Sequence, residues 1–505
     1  MPNFDQSSNL TGSALATMAS NSVRKLWHQG FLMAEQSTDF LQKLEGTGTN
    51  APIQVKTDLG KGKGQKITFS VLSGFYREPH IGDELFNGPD DFEDILMSDF
   101  ELLVDWARHG VRNLERTEEI MGMRGEIASR FNVEQGKWLG RLKTEQAFML
   151  MVRLLNSENI FYAGGKTLNT LKSADVLAWD EVTTLGQVMK PLGGLPADIR
   201  KPGSPYPIWS NIVIPTEAAM NSLKLDPDYK TVNSNADVRG PANTLFSGTV
   251  RDIDGHVLHV YNPIDHDGKG AIGSPLNPKA VLGEAISPGN TALTIKGGGT
   301  MTNTTTLWFK YFRGYRYKFL GNTSASSANA YTEAPADATE EKYLLIINPK
   351  NATTDPGKIG MYAYTAGQNG NTIVLTKRLG ATAGGSSGPW LGRVSTLGNV
   401  TWDTGVWNGK HTDDHPVGAT IIPCNSYGVP IGHTPMLMRS GIMRGYGKYR
   451  GHRSQQDHEG GFIMDRFITS VFGQCLREDR LGRHVGVGLL THALNYPELG
   501  LPTVS

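Results

Sequence analysis

Apolar and polar residues alternate along the first part of the chain in a way that predicts β-strands. The segment IQVKTDLGKGKGQKITFSVLSGF (53–75) places two alternating runs on either side of a centre rich in glycine and lysine. This pattern is typical of a long β-hairpin with a flexible tip. Farther along, apolar residues at every second position predict one buried strand face; these residues are Phe100, Leu102, Val104 and Trp106.

The spacing of the apolar residues then changes to about 3.6, which predicts a long helix over residues 117–155. The apolar stripe consists of Ile120, Met123, Ile127, Phe131, Trp138, Leu142 and Met149. An unbroken helix of this length would span roughly 55 Å, and the four glycines within it favour a kink. A helical pattern over residues 14–44 predicts an N-terminal arm that contains a helix.

Short strand patterns occupy much of the remaining chain. The sequence DIDGHVLHVYNP contains Asp254-Gly255 between alternating residues, which predicts the tight turn of a hairpin. Residues 265–400 are rich in Gly, Thr, Ser, Ala and Asn and contain runs such as YLLIINP and NTIVLTKRLG. We therefore expect an α+β fold with an inserted β-rich domain.

Composition narrows the class of protein. In this chain of 505 residues, 49 Lys and Arg balance 49 Asp and Glu, so it lacks the positive excess of general nucleic-acid-binding proteins. Two cysteines, Cys424 and Cys475, exclude a disulfide framework and a multi-cysteine zinc site. Because the N-terminus lacks a basic start followed by an apolar core, and no apolar run approaches eighteen residues, we expect neither a secretory signal nor a membrane span.

No segment carries a convincing catalytic pattern. The glycine-lysine centre, residues 60–64, is followed by a strand pattern, whereas a phosphate loop needs a helix that opens with Lys-Ser/Thr. Neither cysteine has flanking residues typical of a nucleophile, and we expect both to be buried as small apolar residues. The sequence therefore predicts no enzyme and no cofactor.

Two groups of potential metal ligands occur. The denser group consists of His411, Asp413, Asp414 and His415. Pro416 disfavours the helix on which two histidines four residues apart would share a zinc ion. Asp252 and Asp254 lack the further carboxylates of a calcium loop. We expect hydrogen-bonded loops in both places and no metal site.

Charged residues around the predicted hairpin are candidates for contacts between molecules. The lysines are Lys61, Lys63 and Lys66, and the densest acidic run nearby is Asp90, Asp91, Glu93 and Asp94. A solvated face is the simplest interpretation of such a run, and electrostatic pairing with the lysines is the alternative.

An aromatic and basic segment, LWFKYFRGYRYKFL, lies within the predicted insertion. Its candidate surface residues are Trp308, Tyr311, Arg313, Tyr315 and Arg316. Aromatic rings interleaved with cations can stack on bases or sugars. Aromatic residues are also ordinary strand formers, so we favour a β-strand or a protein interface.

Several separated motifs resemble one known family. They are KTDLGKGKGQKITF, GDELFNG, DFELLVDWARHGVRN, NTLFSGTVRDIDGHVLHVYNP and VFGQCLREDRLGRHVGVGLLTHALNYPELGLP. These segments are similar to the major capsid proteins of Schitoviridae-like tailed phages with double-stranded DNA. The resemblance covers residues 50–265 and 340–505.

The resemblance implies the Hong Kong 97 fold. The implied parts are an N-terminal arm (1–50), an E-loop hairpin (51–98), a peripheral domain with a spine helix (99–207), an axial domain (208–264) and a closing axial and peripheral part (401–505). The inserted β-rich domain (265–400) departs from the minimal form of this fold. The implied function is self-assembly into hexamers and pentamers of an icosahedral shell around the genome. The lysines named above would then contact the acidic run of an adjacent subunit.

The resemblance also implies partners and a location. The partners would be further copies of the chain, portal, scaffolding and decoration proteins, and packaged DNA by non-specific proximity, with no membrane. The protein would assemble in the bacterial cytoplasm and reside in the phage head. Three alternatives remain: another virion component, a cellular nanocompartment shell of the same fold, and a carbohydrate-binding or carbohydrate-active β-protein that uses the aromatic segment.

Overall fold

The computed structural model describes part of the 505-residue chain. The described residues are 39–57, 66–72, 97–114, 126–199, 209–235, 252–253, 255–261, 276, 280–281, 292–295, 299–300, 342–349, 359–366, 373–378, 415–416, 419–425, 428–447, 451–456, 463–479 and 481–496.

Within these residues, four α-helices and twenty-two strands follow one another in chain order. The helices are α1 (Glu126–Arg153), α2 (Trp179–Met189), α3 (Glu217–Leu225) and α4 (Pro227–Asn235). Single 3-10 turns lie at Gln42–Leu44, Ser157–Asn159, Ala163–Gly165 and Leu168–Thr170. The first ten strands are β1 (Glu45–Gly46), β2 (Ile53–Lys56), β3 (Lys66–Leu72), β4 (Met97–Leu103), β5 (Asp105–Leu114), β6 (Ile160–Tyr162), β7 (Ala197–Asp198), β8 (Trp209–Val213), β9 (Asp252–Ile253) and β10 (His256–Leu258). The others are β11 (Ala280–Val281), β12 (Ala292–Ile295), β13 (Gly299–Thr300), β14 (Lys342–Ile347), β15 (Ile359–Ala366), β16 (Ile373–Arg378), β17 (Thr420–Cys424), β18 (Ile431–Leu437), β19 (Ile442–Tyr446), β20 (Gly451–Gln456), β21 (Ile463–Leu476) and β22 (Val487–Ala493). The expected α+β class is confirmed.

Sheet I joins the two ends of the chain. Its order is β1-β2-β19-β21-β20, and β5 also pairs with the fourteen-residue strand β21. Strand β2 runs parallel to β19, with Ile53 opposite Ile442. Segments almost 400 residues apart in sequence are thus hydrogen-bonded neighbours, and the first described residues belong to the body of the protein.

Sheet II lies beside sheet I and has the order β6-β22-β18-β8-β10-β9, with β7 paired to β8. The predicted turn at Asp254-Gly255 is confirmed, because β9 and β10 pair in antiparallel fashion around Gly255. Gly255 has a φ of +74°, a value that side-chain-bearing residues avoid and glycine adopts at little cost. All seven residues of β22 are buried, and this strand lies inside the sheet between β6 and β18.

Sheet III contains the strands predicted for the insertion, in the order β11-β17-β14-β15-β16-β12-β13. Its strand β17 lies beyond the expected boundary at residue 400. Alternate residues of β14 face opposite sides of the sheet: Leu344 and Ile346 pack in the core cluster of α1, while Leu345 and Ile347 pack in that of α2. One end of sheet III is therefore part of the main hydrophobic core.

Helix α1 has 28 residues, about 42 Å at 1.5 Å per residue, and continues through Gly136 and Gly140. Its predicted C-terminal end, near residue 155, is confirmed; residues 115–125 lie outside the described part. The single apolar stripe is a partial description, because the second half of the helix is buried on every side. Lys143, Thr144 and Glu145 are each at most 5% exposed.

The predicted pairing of the two runs around the glycine-lysine centre is wrong. The first run, Ile53–Lys56, is a strand of sheet I, between β1 and β19. The second run, Lys66–Leu72, pairs instead with Met97–Leu103, and its end residue Leu72 lies opposite Met97. Alternation identifies a strand and its buried face but leaves its partner open. Residues 73–96 therefore connect the arms of the hairpin.

Candidate functional site

The β3–β4 hairpin packs on the body through one face only. Ile67, Phe69 and Leu102 are almost fully buried against Met443 of β19, whereas Lys66, Thr68 and Ser70 on the opposite face are exposed. Alternation thus produces an apolar inner face and a polar outer face, as predicted for this strand. Leu102 is also among the residues predicted for a buried strand face, and its burial confirms that part of the prediction.

A glycine in β19 permits this close packing. A Cβ atom at Gly445 would lie 2.5 Å from Ile67 Cδ1 and 2.8 Å from Leu102 Cδ2. These distances are too short for carbon atoms that are not bonded to each other. Lys56 of sheet I also holds the hairpin, because its Nζ donates to Thr68 O at 2.9 Å and lies 4.6 Å from the centre of the Phe69 ring. The base of the hairpin is therefore fixed on sheet I.

The outer edges of the hairpin are available for pairing. Among the described residues, β3 and β4 pair only with each other and form a two-stranded sheet. The outer edge of such a sheet presents backbone N–H and C=O groups to any extended chain that approaches. This arrangement suits an element that contacts a second molecule.

Residues 39–45, which lie within the predicted N-terminal arm, meet α1 and sheet I in a group of contacts that we call the arm anchor. Asp39 Oδ1 accepts from Thr144 Oγ1 of α1 at 3.0 Å, and Thr144 Oγ1 accepts from Phe40 N at 3.1 Å. The Phe40 ring stacks on the His259 imidazole with 4.0 Å between ring centres. Asp39 and Phe40 therefore connect the N-terminal part of the chain directly to helix α1.

Arg444 of β19 lies at the centre of this anchor and is fully buried. Its Nη1 donates to Asp39 Oδ2 at 2.7 Å and also to Glu45 Oε1, while its Nε donates to Gln474 Oε1 at 3.2 Å. Burial alone would lower the pKa of Arg444, but the nearby Asp39, Tyr446 and Glu45 raise it well above its ordinary value. Arg444 is therefore held as a cation that links three segments of the chain.

A second buried ionisable group, Glu145, lies on helix α1. Glu145 is 5% exposed, and its Oε1 accepts from the Tyr261 hydroxyl at 2.7 Å. Burial raises the pKa of Glu145 to about 8, although the hydrogen bond from Tyr261 and the charge of Arg141 oppose the shift. His259, which stacks on Phe40, has a pKa lowered by burial. The anchor thus combines a permanent ion pair with a carboxyl group that holds its proton near neutral pH.

Of the predicted contact residues, only Lys66 lies in the described part of the chain. Its Nζ pairs with Glu101 across the hairpin, and both side chains are about half exposed. The other two lysines, the acidic run and the aromatic residues 308–316 lie outside the described residues. Their contacts stay predictions.

The structure describes only some of the residues considered as catalytic or metal-binding candidates. His411, Asp413 and Asp414 lie outside the described residues, while His415 is buried and its Nδ1 is 2.7 Å from Asn348 Oδ1. Cys424 is buried as predicted, and burial raises the pKa of its thiol. In the described part of the chain, no group of three His, Cys, Asp or Glu residues is arranged to hold a metal ion.

The anchor was not predicted from the sequence. One signal was present: Arg444 is a lone charge in the strand sequence IMRGY, and a cation in a buried strand requires a paired carboxylate. The partner lies about 400 residues away in sequence, so only the fold identifies it. Among the described helices, none is both long enough and apolar enough to cross a membrane.

A family model described as "Phage capsid protein" matches residues 16–164. These residues include Asp39 and Glu45 of the arm anchor, both hairpin strands and α1. The chain therefore has a structural role in a phage capsid, and the order hairpin, strand and long helix agrees with the Hong Kong 97 type of fold that the resemblance implied. The Schitoviridae-like assignment stays a prediction.

Solved capsid structures are also similar to this chain. The capsid of Ralstonia phage GP4 aligns at a TM-score of 0.49 with 12% identity and covers 91% of each chain. The cyanophage Pam1 capsid aligns at 0.49 with 10% identity over 90% of this chain and 92% of the other. The head of Helicobacter pylori bacteriophage KHP40 aligns at 0.45 with 10% identity over 91% of each. No curated protein sequence matches significantly. At these scores the alignments assign no role to individual residues.

Proposed function

We propose that this chain is the major capsid protein of a tailed phage and forms the hexamers and pentamers of an icosahedral shell around double-stranded DNA. The β3–β4 hairpin carries the proposal. It lies within the segment matched by the capsid family, packs one face on its own body, and leaves both outer strand edges without a third strand among the described residues.

A hairpin of this kind can connect neighbouring subunits of a shell. Main-chain pairing at an exposed edge gives affinity with few specific side chains, and repeated heterologous contacts close into a finite shell when their rotation permits. The balanced charge of the chain also suits a wall that faces DNA, because a strongly basic wall would bind phosphates and retain the genome.

The proposal includes further parts. The protein would act without catalysis, assemble in the bacterial cytoplasm, and contact portal, scaffolding and decoration proteins. Lys61 and Lys63 would pair with the acidic run of an adjacent subunit, with a smaller share for Lys66 because Glu101 already neutralises it. The aromatic segment would lie on an outward or inter-capsomer surface of the insertion and would not bind DNA.

Shortening the hairpin tests the proposal. Replacing residues 73–96 by Asn-Gly joins Leu72 to Met97, which are already paired, through a two-residue turn that antiparallel strands accept. The replacement starts at residue 73 because a deletion that began at Gln54 would remove most of strand β2 from sheet I. The buried face of the hairpin is kept, so we expect a folded subunit that forms no stable shells in sedimentation experiments.

A matched control shortens another connection. Replacing residues 367–372 by Asn-Gly joins β15 to β16 at the paired residues Ala366 and Ile373. This variant should assemble as the unmodified protein does. Normal yields of shells from the hairpin variant would contradict the proposed function.

A further inference from the structure

Arg439 and Arg477 lie close together where sheets I and II meet, and neither has a carboxylate partner among the described residues. The backbone N–H of Arg477 donates to Gly441 O at 3.1 Å, which places this residue beside the turn that carries Arg439. Both side chains are half-buried. Arg483, a few residues farther along, differs because its Nη2 is 2.8 Å from Asp479 Oδ2.

Hydrogen bonds hold the guanidinium group of Arg439 in place, whereas the Nε atom of Arg477 lacks an acceptor. Arg439 Nε donates to Thr49 O at 3.1 Å, and its backbone N–H donates to Leu195 O at 2.8 Å. Arg477 Nε is buried and makes no hydrogen bond. Leaving a charged donor buried and unsatisfied is costly, so a further oxygen acceptor would stabilise this arrangement.

The electrostatics of the pair also favour an anion. Burial lowers the pKa of Arg477, and the charge of Arg439 lowers it further. The buried Arg444 shows the opposite shift because carboxylates surround it. A carboxylate bound by both arginines would relieve their repulsion, and its two oxygens match the planar, bidentate geometry of a guanidinium group.

We propose that Arg439 and Arg477 bind carboxylates of a second copy of this chain and that residues 83–94 supply them. The inference rests on the proposed shell function. This twelve-residue segment holds six carboxylates, namely Asp83, Glu84, Asp90, Asp91, Glu93 and Asp94, and lies in sequence between the arms of the hairpin. Lys66 at the hairpin base already pairs with Glu101, and six carboxylates exceed the number that Lys61 and Lys63 would need for the contacts proposed above.

Binding of a labelled peptide with the sequence of residues 83–94 tests this site on unassembled full-length subunits. At low ionic strength, fluorescence anisotropy should show saturable binding that falls by about tenfold or more, equivalent to about 1.4 kcal/mol, in Arg439→Gln/Arg477→Gln. The control Arg483→Gln should bind as the unmodified subunit does. Absence of binding, an equal loss in the control, or equal binding of a peptide with all six carboxylates replaced by amides would overturn the proposal.

Two further readouts distinguish a carboxylate site from a phosphate site and from a purely structural arginine pair. If a duplex DNA binds in place of the peptide and the double variant abolishes that binding, the ligand is a phosphate and the proposal fails. Arg477→Gln should leave the unfolding temperature unchanged or raised, because it removes an unpaired charge; a fall larger than that of Arg483→Gln indicates a structural role and also overturns it. Peptide binding without any shell formation would contradict the proposed function while the site stands.

Discussion

The arm anchor and the centre of sheet II are both fully buried, but they depend on pH in opposite directions. The anchor holds Arg444 as a cation and Glu145 with its proton, whereas the β18–β22 pair holds a neutral histidine, His492, with Nε2 2.9 Å from Thr434 Oγ1. Burial raises the pKa of Glu145 to about 8 and lowers that of His492 to about 4. Burial thus favours the neutral forms of Glu145 and His492, whereas Arg444 stays charged because it pairs with Asp39 and Glu45.

The signs follow from proton binding. Between pH 4.5 and about 8 the folded chain holds a proton on Glu145 that the unfolded chain has lost, so this group's contribution to stability falls as pH rises. Between about pH 4 and 6.5 the unfolded chain binds a proton at His492 that the folded chain excludes, so stability falls as pH drops. Where the windows overlap, the two slopes oppose each other.

The largest expected effect concerns the anchor carboxyl. Glu145→Gln keeps the acceptor for Tyr261 and removes the ionisation, so the variant should be more stable than the unmodified chain above pH 8. A shift from 4.5 to about 8 corresponds to at most about 5 kcal/mol. Denaturant unfolding at pH 4.5 and pH 8.5 measures the difference, which should be close to zero at the lower pH. A variant that is equally stable relative to the parent at both pH values would contradict the account.

Removing the cation of the anchor should change the free energy of unfolding by almost as much, in the destabilising direction. Arg444→Met leaves Asp39 buried without its partner and should lower the free energy of unfolding by about 3–5 kcal/mol. The double variant Arg444→Met/Asp39→Leu should recover part of this loss, because only Glu45, which is partly exposed, then remains without its cation. Equilibrium unfolding of these two variants and of Asp39→Leu alone gives the coupling energy between Arg444 and Asp39. Additive effects would show that this ion pair does not stabilise the anchor.

The neutral histidine sharpens the comparison from the other side. His492→Gln can still hydrogen-bond Thr434 but cannot be protonated, so the decline in stability from pH 6.5 to pH 4 should become shallower. A shift from 6.5 to about 4 corresponds to at most about 3 kcal/mol. Unfolding measured at several pH values in this range reports the slope, and an unchanged slope would show that His492 is not the group responsible.

The lysines of the glycine-lysine centre, which belong to neither region, should matter least to folding. Lys61→Glu/Lys63→Glu should change the stability of the subunit by only ~0–1 kcal/mol, yet slow shell assembly at low salt if these lysines meet the acidic run of a neighbour. The assembly defect, followed by light scattering, should shrink as ionic strength approaches ~1 M. Assembly at the normal rate in low salt would mean that the lysines are only solvated. Lys66→Glu is a separate control, because it breaks the pair with Glu101 inside the hairpin.

The sequence predicts local features of this fold well. Alternation locates the buried face of β3, the Asp254-Gly255 turn follows from backbone preferences, and the apolar stripe ends where α1 ends. It does not predict that Ile53–Lys56 pairs with Ile442–Tyr446, because strand partners are chosen by contacts distant in sequence. Helical periodicity counts apolar residues only, so it also misses buried polar side chains such as Glu145. The sequence also does not predict that Arg439 and Arg477 lie close together, because this depends on contacts distant in sequence.

Electron microscopy of the purified full-length protein tests the central claim most directly. The account predicts capsomers or closed particles of uniform size from the unmodified chain, and their loss when residues 73–96 are replaced by Asn-Gly. A preparation that stays a small oligomer under all assembly conditions, or shells that persist without the hairpin connection, would contradict it.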